Sequence, residues 1–497
     1  MKYDVIIIGS GLGGLQCGYI LSKHGLNVCV LEKQGRPGGC LQTFRRGKHT
    51  FDTGFHYVGG MDEGQPLHRL FSYFGLTRLP WRRMDENGFD EVIIDRKSYL
   101  FANGYERFAE TLSEHFPRQR RNLKQYTAFL RNVSDHLFDS FEKKAEEDLY
   151  GNSLFAKSAY AYLASTIDDP LLRNVLSGAS LKMELNPETL PLYIFAQINS
   201  SFIQSAWRLQ GGGAQIADSL VKSIEKNGGT LRLNARVTRL IEENGRIAAA
   251  EVNGGERIEA ASFIAATHPA AALSLITESA LIRNIYRKRI AGLENTFGMF
   301  TANIALKESA VPYRNRNLYI YENGDLWQPP TACRPDQPAA SCALVSFQPP
   351  AGNSPCTSAI DILTPMYWPE VEPWAHTTVG RRGSSYTSLK QQKAGACIRL
   401  AAAYIPELEN PGAIENICTS TPLTYRDYTA TPCGSAYGIR KNCRQLMTTL
   451  LSPRTPEPNL YLTGQNLNLH GLLGVSMTAF FTCAELLGMN TATRGLL

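Results

Sequence analysis

A glycine-rich turn between two apolar runs restricts the fold of this chain more than any other feature of its sequence. The run Tyr3–Ile8 is apolar and rich in β-branched residues, as expected of a buried parallel strand. The turn Gly9–Gly14 follows, and residues 15–24 then place apolar side chains at helical spacing. A second apolar run, residues 27–31, ends at Glu32. The order of strand, glycine turn, helix, strand and acid predicts a dinucleotide-binding βαβ unit.

Each residue type in this unit has a physical role in binding a nucleotide. Gly9 allows the tight turn, Gly11 lets the backbone approach a pyrophosphate, and Gly14 lets the helix pack closely on the strand. The helix N-terminus offers unpaired N–H groups and a positive dipole end to the phosphates. The Glu32 carboxylate is predicted to accept hydrogen bonds from the adenosine ribose, which favours FAD or NAD over NADP. A glycine-rich turn of an unrelated α/β protein would not require all of these features in register.

Length, charge and cysteine content exclude several other classes of protein. A chain of 497 residues with 43% hydrophobic residues predicts two or three globular domains. The net charge of +6 is too mild for a dedicated nucleic-acid binder. The 11 cysteines contain no CxxC pair, so neither a metal site nor a disulfide framework is expected, and a cytoplasmic location is predicted. The early first strand leaves no room for a signal peptide, and no run of 18 apolar residues suggests a membrane span.

Two further segments carry a family resemblance. The loop after Glu32 contains Arg36, a natural phosphate partner, and ends in Gly38-Gly39-Cys40. The segment Phe51–Gly60 combines aromatic residues with glycines and contains the motif G-x-H-Y-x-G at 54–59. Together with the βαβ unit, these segments resemble the FAD-dependent carotenoid desaturase and isomerase superfamily, and within it the retinol saturases (all-trans-retinol 13,14-reductases). Phytoene desaturases usually carry Gly-Gly-Arg where this chain has Gly-Gly-Cys, which favours a saturase over a desaturase.

The remaining sequence predicts the order of the other elements. Residues 66–210 are mostly helical in pattern, and the aromatic stretch 190–207 either lines a substrate tunnel or packs in the core. A helix at 214–226 precedes a set of strands up to residue 267, and residues 295–437 are mainly β-like. A last strand and helix occupy residues 459–487.

The resemblance implies how these elements are divided into domains. It implies an α/β fold in which an interrupted, Rossmann-like FAD-binding domain of the glutathione reductase type accompanies an α+β substrate domain. The substrate domain would contain a mixed or antiparallel sheet. The FAD-binding domain is expected to comprise residues 1–75, 208–292 and 455–497, and the substrate domain residues 76–207 and 293–454.

The resemblance also implies which residues hold FAD. Val237 would clamp the adenine through its backbone groups, and the glycines before the last helix would face the flavin. Family members usually carry an acid at the ribityl contact, next to the glycine that matches Gly464, whereas this chain has the neutral Gln465 there. The expected cofactor-binding residues are Gly9, Ser10, Gly11, Gly13, Gly14, Glu32, Lys33, Arg36, Gly38, Gly39, Cys40, Val237, Gly464, Gln465, Gly474 and Val475.

The expected function is FAD-dependent reduction of a C=C bond in a lipophilic conjugated polyene, with His56 and Tyr57 as the candidate catalytic residues. Either residue would donate a proton to the substrate or only pack against the flavin. Three alternatives stay open: a desaturase or cis–trans isomerase of a carotenoid-like polyene, a flavin-free module that binds prenylated proteins, and an amine-oxidase-like enzyme. The chain lacks a second GxGxxG unit, so electrons would come from a small reductant or a partner reductase. Peripheral membrane contact is a further expectation, and no nucleic-acid partner is expected.

Overall fold

The computed structural model describes residues 2–142, 149–328, 339–350, 352 and 354–496. Its strands are β1 (Lys2–Ile8), β2 (Val28–Leu31), β3 (Thr43–Arg46), β4 (His49–Asp52), β5 (Val58–Gly59), β6 (Trp81–Arg83), β7 (Asp90–Ile94), β8 (Lys97–Phe101), β9 (Ala206–Leu209), β10 (Thr230–Arg232), β11 (Val237–Glu243), β12 (Arg246–Val252), β13 (Glu256–Ala265), β14 (Gly298–Leu306), β15 (Asn317–Tyr321), β16 (Cys342–Phe347), β17 (Ala359–Met366), β18 (Ile414–Ser420) and β19 (Leu460–Leu462). Its helices are α1 (Leu12–Lys23), α2 (Pro66–Tyr73), α3 (Tyr105–His115), α4 (Arg120–Asp135), α5 (Asp139–Glu142), α6 (Leu149–Phe155), α7 (Ala159–Thr166), α8 (Pro170–Ser177), α9 (Leu192–Gln204), α10 (Ala214–Lys226), α11 (Pro269–Ser274), α12 (Asn284–Ala291), α13 (Gly383–Ala402), α14 (Pro422–Thr429), α15 (Leu446–Thr449), α16 (Gly471–Leu487) and α17 (Met489–Ala492).

The first sheet is built on β1, whose residues 5–8 are buried between two parallel neighbours. The strand order is β10-β2-β1-β13-β12-β11, and β19 pairs in parallel with the end of β13. Strands β11, β12 and β13 form an antiparallel meander, whereas β10, β2, β1 and β13 run parallel. Helices α1, α10 and α16 pack together beside this sheet. The predicted strand–turn–helix–strand unit is therefore present, and segments far apart in the sequence complete its sheet.

The second sheet is mixed. Its order is β18-β14-β17-β16-β15-β7-β8, and β15 with β7 is the parallel pair among otherwise antiparallel neighbours. Helix α13 packs in the apolar cluster on this sheet, and a second cluster joins the sheet to helices α3, α4 and α6–α9. The α/β class with a Rossmann-like part and a mixed second sheet is confirmed. No helix of the described residues is long and apolar enough to cross a membrane.

The expectation of a mostly helical segment from residue 66 is wrong for residues 81–101, which form β6, β7 and β8. The hairpin of β7 and β8 turns at Asp95 and Arg96, which both adopt positive φ angles (49° and 63°). Asparagine and glycine usually signal such a turn, so this pair gave no signal. In the aromatic stretch 190–207, Phe195 is buried in the core whereas Phe202 lines a cavity.

Candidate functional site

A cavity of about 630 Å³ extends from the glycine turn of the first sheet to the second sheet. At one end it is lined by backbone of the turn, by Glu32 and by Val237. At the other end its walls are mainly apolar and aromatic, and they include Ile198, Phe202, Met299, Leu344, Leu363, Tyr425 and Tyr437. An elongated cavity with a polar glycine-rich end and an apolar end suits a dinucleotide and an apolar substrate placed end to end.

The glycine turn is shaped by close packing on one side and open space on the other. A Cβ atom on Gly14 would lie 2.1 Å from the carbonyl oxygen of Gly9, and Gly9 itself has φ +99°. A Cβ on Gly11 would meet nothing within 4 Å, and Gly11 lines the cavity. Helix α1 begins directly after Gly11 and has no side-chain cap. Its first N–H groups are therefore available to an anionic group such as a pyrophosphate.

Glu32 is fixed at the cavity wall by three hydrogen bonds. Its carboxylate accepts the backbone N–H of Ser10 at 2.9 Å, the Ser10 hydroxyl at 2.6 Å, and the backbone N–H of Gln34 at 2.8 Å. The side chain is buried yet lines the cavity. This position suits an acceptor for a ribose hydroxyl, and it also ties the glycine turn to the end of β2.

The loop after Glu32 contributes some of its expected residues and not others. Lys33, Gly38, Gly39 and Cys40 line the cavity, and the Lys33 ammonium also donates to the carbonyl of Asp427 at 3.2 Å. Arg36, in contrast, is exposed and is not among the residues that line the cavity.

The second glycine segment meets the first one directly. A Cβ on Gly13 would lie 3.2 Å from the Cα of Gly464 and 3.3 Å from a methyl of Val475. Gly464, Gln465 and Val475 line the cavity, as does Gly471 at the start of α16. Gly474 has another role, because a Cβ there would lie 2.3 Å from the carbonyl oxygen of Leu469, so it permits the loop to pack on the helix.

The two candidate catalytic residues lie side by side in the cavity wall but differ in their surroundings. The Nδ1 atom of His56 is 3.8 Å from a carboxylate oxygen of Asp361, and its Nε2 has no hydrogen-bond partner among the described residues. Burial lowers the pKa of His56 to about 4, so its ring is neutral at physiological pH. Burial raises the pKa of Tyr57 well above its ordinary value, and its hydroxyl keeps its proton.

A group of buried polar residues around Tyr57 was missed by sequence reasoning. The Tyr57 hydroxyl is 2.7 Å from a carboxylate oxygen of Asp90 and 2.6 Å from the hydroxyl of Tyr319, and it accepts a hydrogen bond from the Lys182 ammonium at 2.7 Å. These residues come from four parts of the chain, separated by up to 262 positions. The one available signal was a lysine within the apolar run Leu181-Lys182-Met183.

The geometry defines a class of protein before any comparison is made. A Rossmann-like sheet carries two glycine turns that touch, a buried acid after the second strand and a cavity continuing into a mixed sheet. This is the arrangement of flavoproteins that bind FAD beside an apolar substrate pocket. The open side of Gly11 and the uncapped start of α1 fit such a dinucleotide.

Comparison with known proteins identifies the family. Residues 12–347 match the model of the flavin containing amine oxidoreductases, and the chain belongs to this family. It is a FAD-dependent oxidoreductase, and the alternative of a flavin-free binding module is therefore excluded.

Individual relatives refine this placement. The chain is 26% identical to the all-trans-retinol 13,14-reductase of Rattus norvegicus over 98% of this chain and 86% of that protein. It is 24% identical to prolycopene isomerase 1 of an Oncidium hybrid cultivar, but over only 53% of this chain and 48% of that protein. Its fold is similar to that of cyclohexylamine oxidase from Brevibacterium oxydans, with a TM-score of 0.60, 15% identity, and coverage of 100% of this chain and 99% of that one. The resemblance to the retinol saturases and carotenoid isomerases is thereby confirmed.

Proposed function

We propose that this protein reduces a carbon–carbon double bond of a lipophilic conjugated polyene, as a saturase similar to the all-trans-retinol 13,14-reductases. The observation that carries this proposal is the apolar end of the cavity, where Phe202, Met299, Leu344 and Leu363 form an apolar wall beside the polar side chains of His56, Tyr57 and Lys182. Such a lining favours a long apolar substrate over an amine, because a charged amine would lose its hydration there. The similarity to the rat reductase over 98% of the chain supports the same assignment.

The cofactor supplies the hydride chemistry, and the residues of the chain bind and orient it. The open side of Gly11 and the start of α1 would hold the pyrophosphate, while Glu32 would accept a ribose hydroxyl. The start of α16 would stabilise negative charge on the flavin ring, since Gly471 and Val475 line the cavity there. Because Arg36 is exposed, we propose that it contacts the phosphates only through water and contributes less to FAD binding than Glu32 does.

The chain must also deliver a proton to the substrate, and His56 and Tyr57 are the candidates. Both line the cavity, and both carry a ring that remains uncharged when buried. A neutral His56 with its proton on Nε2 has a free N–H donor, whereas Tyr57 has a hydroxyl donor with its own proton source nearby.

A second candidate function is redox-neutral cis–trans isomerisation of a carotenoid-like polyene, and desaturation is the third. The similarity to the prolycopene isomerases, which extends over about half of this chain, is the observation that favours isomerisation. All three reactions would use the same cofactor and the same apolar cavity. Product mass therefore distinguishes them better than any further feature of the site.

The test is anaerobic incubation of the FAD-loaded protein with all-trans-retinol and longer polyenes, with the flavin either reduced or oxidised. Free reduced FAD without protein is the matched control. A product two mass units heavier, formed with reduced flavin, is the expected result. A lighter product formed with oxidised flavin would indicate a desaturase, and an unchanged mass with a new retention time would indicate an isomerase.

We further propose that electrons reach the flavin from a small reductant or a partner reductase, and that the protein contacts membranes peripherally. An exposed face near α12 supports membrane contact, because Ile285 is 78% exposed and lies beside exposed Arg283, Lys288 and Arg289. Co-sedimentation with vesicles that contain anionic lipid checks this. Equal binding of the Ile285→Asp variant and the unchanged protein would contradict it.

A further inference from the structure

The residues Tyr57, Asp90, Lys182 and Tyr319 form a connected polar group in an otherwise apolar core, here called the Lys182 cluster. The Lys182 ammonium donates to the Tyr57 hydroxyl at 2.7 Å and lies 3.5 Å from Asp90. The Tyr57 hydroxyl is also within 2.7 Å of Asp90 and 2.6 Å of Tyr319. The cluster therefore joins one cation, one carboxylate and two hydroxyls by short hydrogen bonds.

The cluster has a dry side and a cavity side. The Asp90 side chain is 0% exposed and accepts a hydrogen bond from Asn317 at 2.8 Å, while Asn317 in turn accepts one from the buried Arg208. Lys182 and Tyr57 line the cavity, and the Lys182 side chain retains 13% exposure. The lysine and the tyrosine can therefore meet a bound substrate, whereas the carboxylate cannot.

The charge state of Lys182 is balanced between two opposing influences. Burial lowers the pKa of Lys182 to about 8, although Asp90 favours the ammonium form. The other groups facing it are the hydroxyls of Tyr57 and Tyr319, the neutral His470, whose Nε2 is 2.8 Å from the Lys182 carbonyl, and Arg208 behind Asn317. A lysine in these surroundings can give up and regain a proton near neutral pH, unlike an ordinary surface lysine.

We propose that Tyr57 donates the proton that completes reduction of the alkene and that Lys182 replaces it, a step that rests on the proposed function above. The electron pair of the π-bond, displaced when hydride adds to one carbon, forms a new C–H bond at the neighbouring carbon with the Tyr57 proton. The Tyr57 oxygen then takes a proton from the Lys182 ammonium, which becomes an amine and is reprotonated by water. The substrate gains one hydride, supplied by reduced flavin, and one proton. His56 faces the Asp361 carboxyl, 3.8 Å from its Nδ1, and is assigned to the wall of the cavity.

Single variants assayed in D₂O test the donor. Tyr57→Phe is expected to retain FAD and flavin reduction but to lose at least about 10²-fold in turnover, the usual effect of removing a general acid. The unchanged protein should add deuterium to one face of the protonated carbon and give a single stereoisomer. The residual product of the variant should be a mixture of both stereoisomers. Tyr321→Phe is the matched control, because it removes another buried tyrosine hydroxyl, bonded to the Gly178 carbonyl at 2.6 Å, outside the cluster.

The role of Lys182 is tested by pH. Turnover of the unchanged protein should fall as pH rises through about 8, and Lys182→Met should be slow and lose this dependence. Should a variant fail to fold, NMR of ¹³C-labelled lysine in the unchanged protein replaces it. Lys182 is expected to titrate near 8, and Lys441, whose pKa burial lowers to about 7, is identified by the loss of its signal in Lys441→Arg. A value near the ordinary lysine pKa of about 10.4 would overturn the assignment.

The outcomes separate this inference from the proposed function. If the unchanged protein with reduced FAD leaves every polyene intact, the proposed function is wrong and the inference falls with it. If it reduces a polyene and Tyr57→Phe does so equally fast with one-faced deuteration, only the donor assignment is wrong.

Discussion

Replacing Glu32 by alanine should weaken FAD binding much more than replacing Arg36. The Glu32 carboxylate accepts three hydrogen bonds within the protein, from Ser10 twice and from Gln34. A carboxylate offers about four acceptor sites, so one remains for a ribose hydroxyl at full strength. A hydrogen bond to a charged group contributes about 1.5–3 kcal/mol, which corresponds to about 10- to 10²-fold in the dissociation constant. Arg36 is exposed, and an exposed charge contributes up to about 1 kcal/mol, or about fivefold.

The assay is titration of cofactor-stripped protein with FAD, followed by flavin fluorescence or calorimetry. Glu32 also holds Ser10 and Gln34, so the melting temperature of each stripped variant must be measured, and binding compared well below it. Glu32→Gln is the matched control, since it keeps the shape and one acceptor oxygen, and it should bind with intermediate affinity. Equal dissociation constants for Glu32→Ala and Arg36→Ala would refute the argument that Glu32 is the ribose acceptor.

Three other predictions concern the cofactor, His56 and Asp361. The purified protein should be yellow and release FAD on denaturation, and a colourless protein that binds no added FAD would contradict this. His56→Phe should stay within about tenfold of the unchanged turnover, because a neutral histidine with a pKa near 4 is a poor proton source; a loss of 10²-fold would make His56 the donor instead. Burial raises the pKa of Asp361 to about 6, so the folded protein binds more protons than the unfolded one between pH 4 and 6. The unfolding free energy should therefore fall, relative to Asp361→Asn, by up to about 3 kcal/mol as pH rises from 4 to 7. Chemical denaturation at both pH values measures this, and a pH-independent difference would count against it.

The cofactor end of the site could be predicted from the sequence because its parts are local. Strand, turn, helix and acid follow one another within residues 2–32, and each is specified by residue types with one structural purpose. The helix α10 was predicted with the bounds that the structure shows, since a periodic pattern of that length is distinctive.

The substrate end could not be predicted because its contacts join distant positions. Lys182 contacts Tyr57 across 125 positions, and its local signal, the apolar neighbours Leu181 and Met183, does not identify the partner. The hairpin of β7 and β8 was missed for a different reason. The charged residues Glu91 and Lys97 obscure the alternation of apolar and polar residues in its two strands. Arg36 shows the same limit, because a residue type suited to phosphate does not reveal that the side chain is exposed.

The contact between Gly13 and Gly464 has a consequence for how the protein matures in the cell. During synthesis the βαβ unit leaves the ribosome long before residues 460–487, which supply β19 and α16. Until then the nascent chain has only one wall of the flavin pocket, and the edge of β13 that receives β19 is uncovered. We therefore expect FAD to bind fully only after residues 460–487 have been synthesised, and its binding would stabilise the chains in which both glycine turns have met.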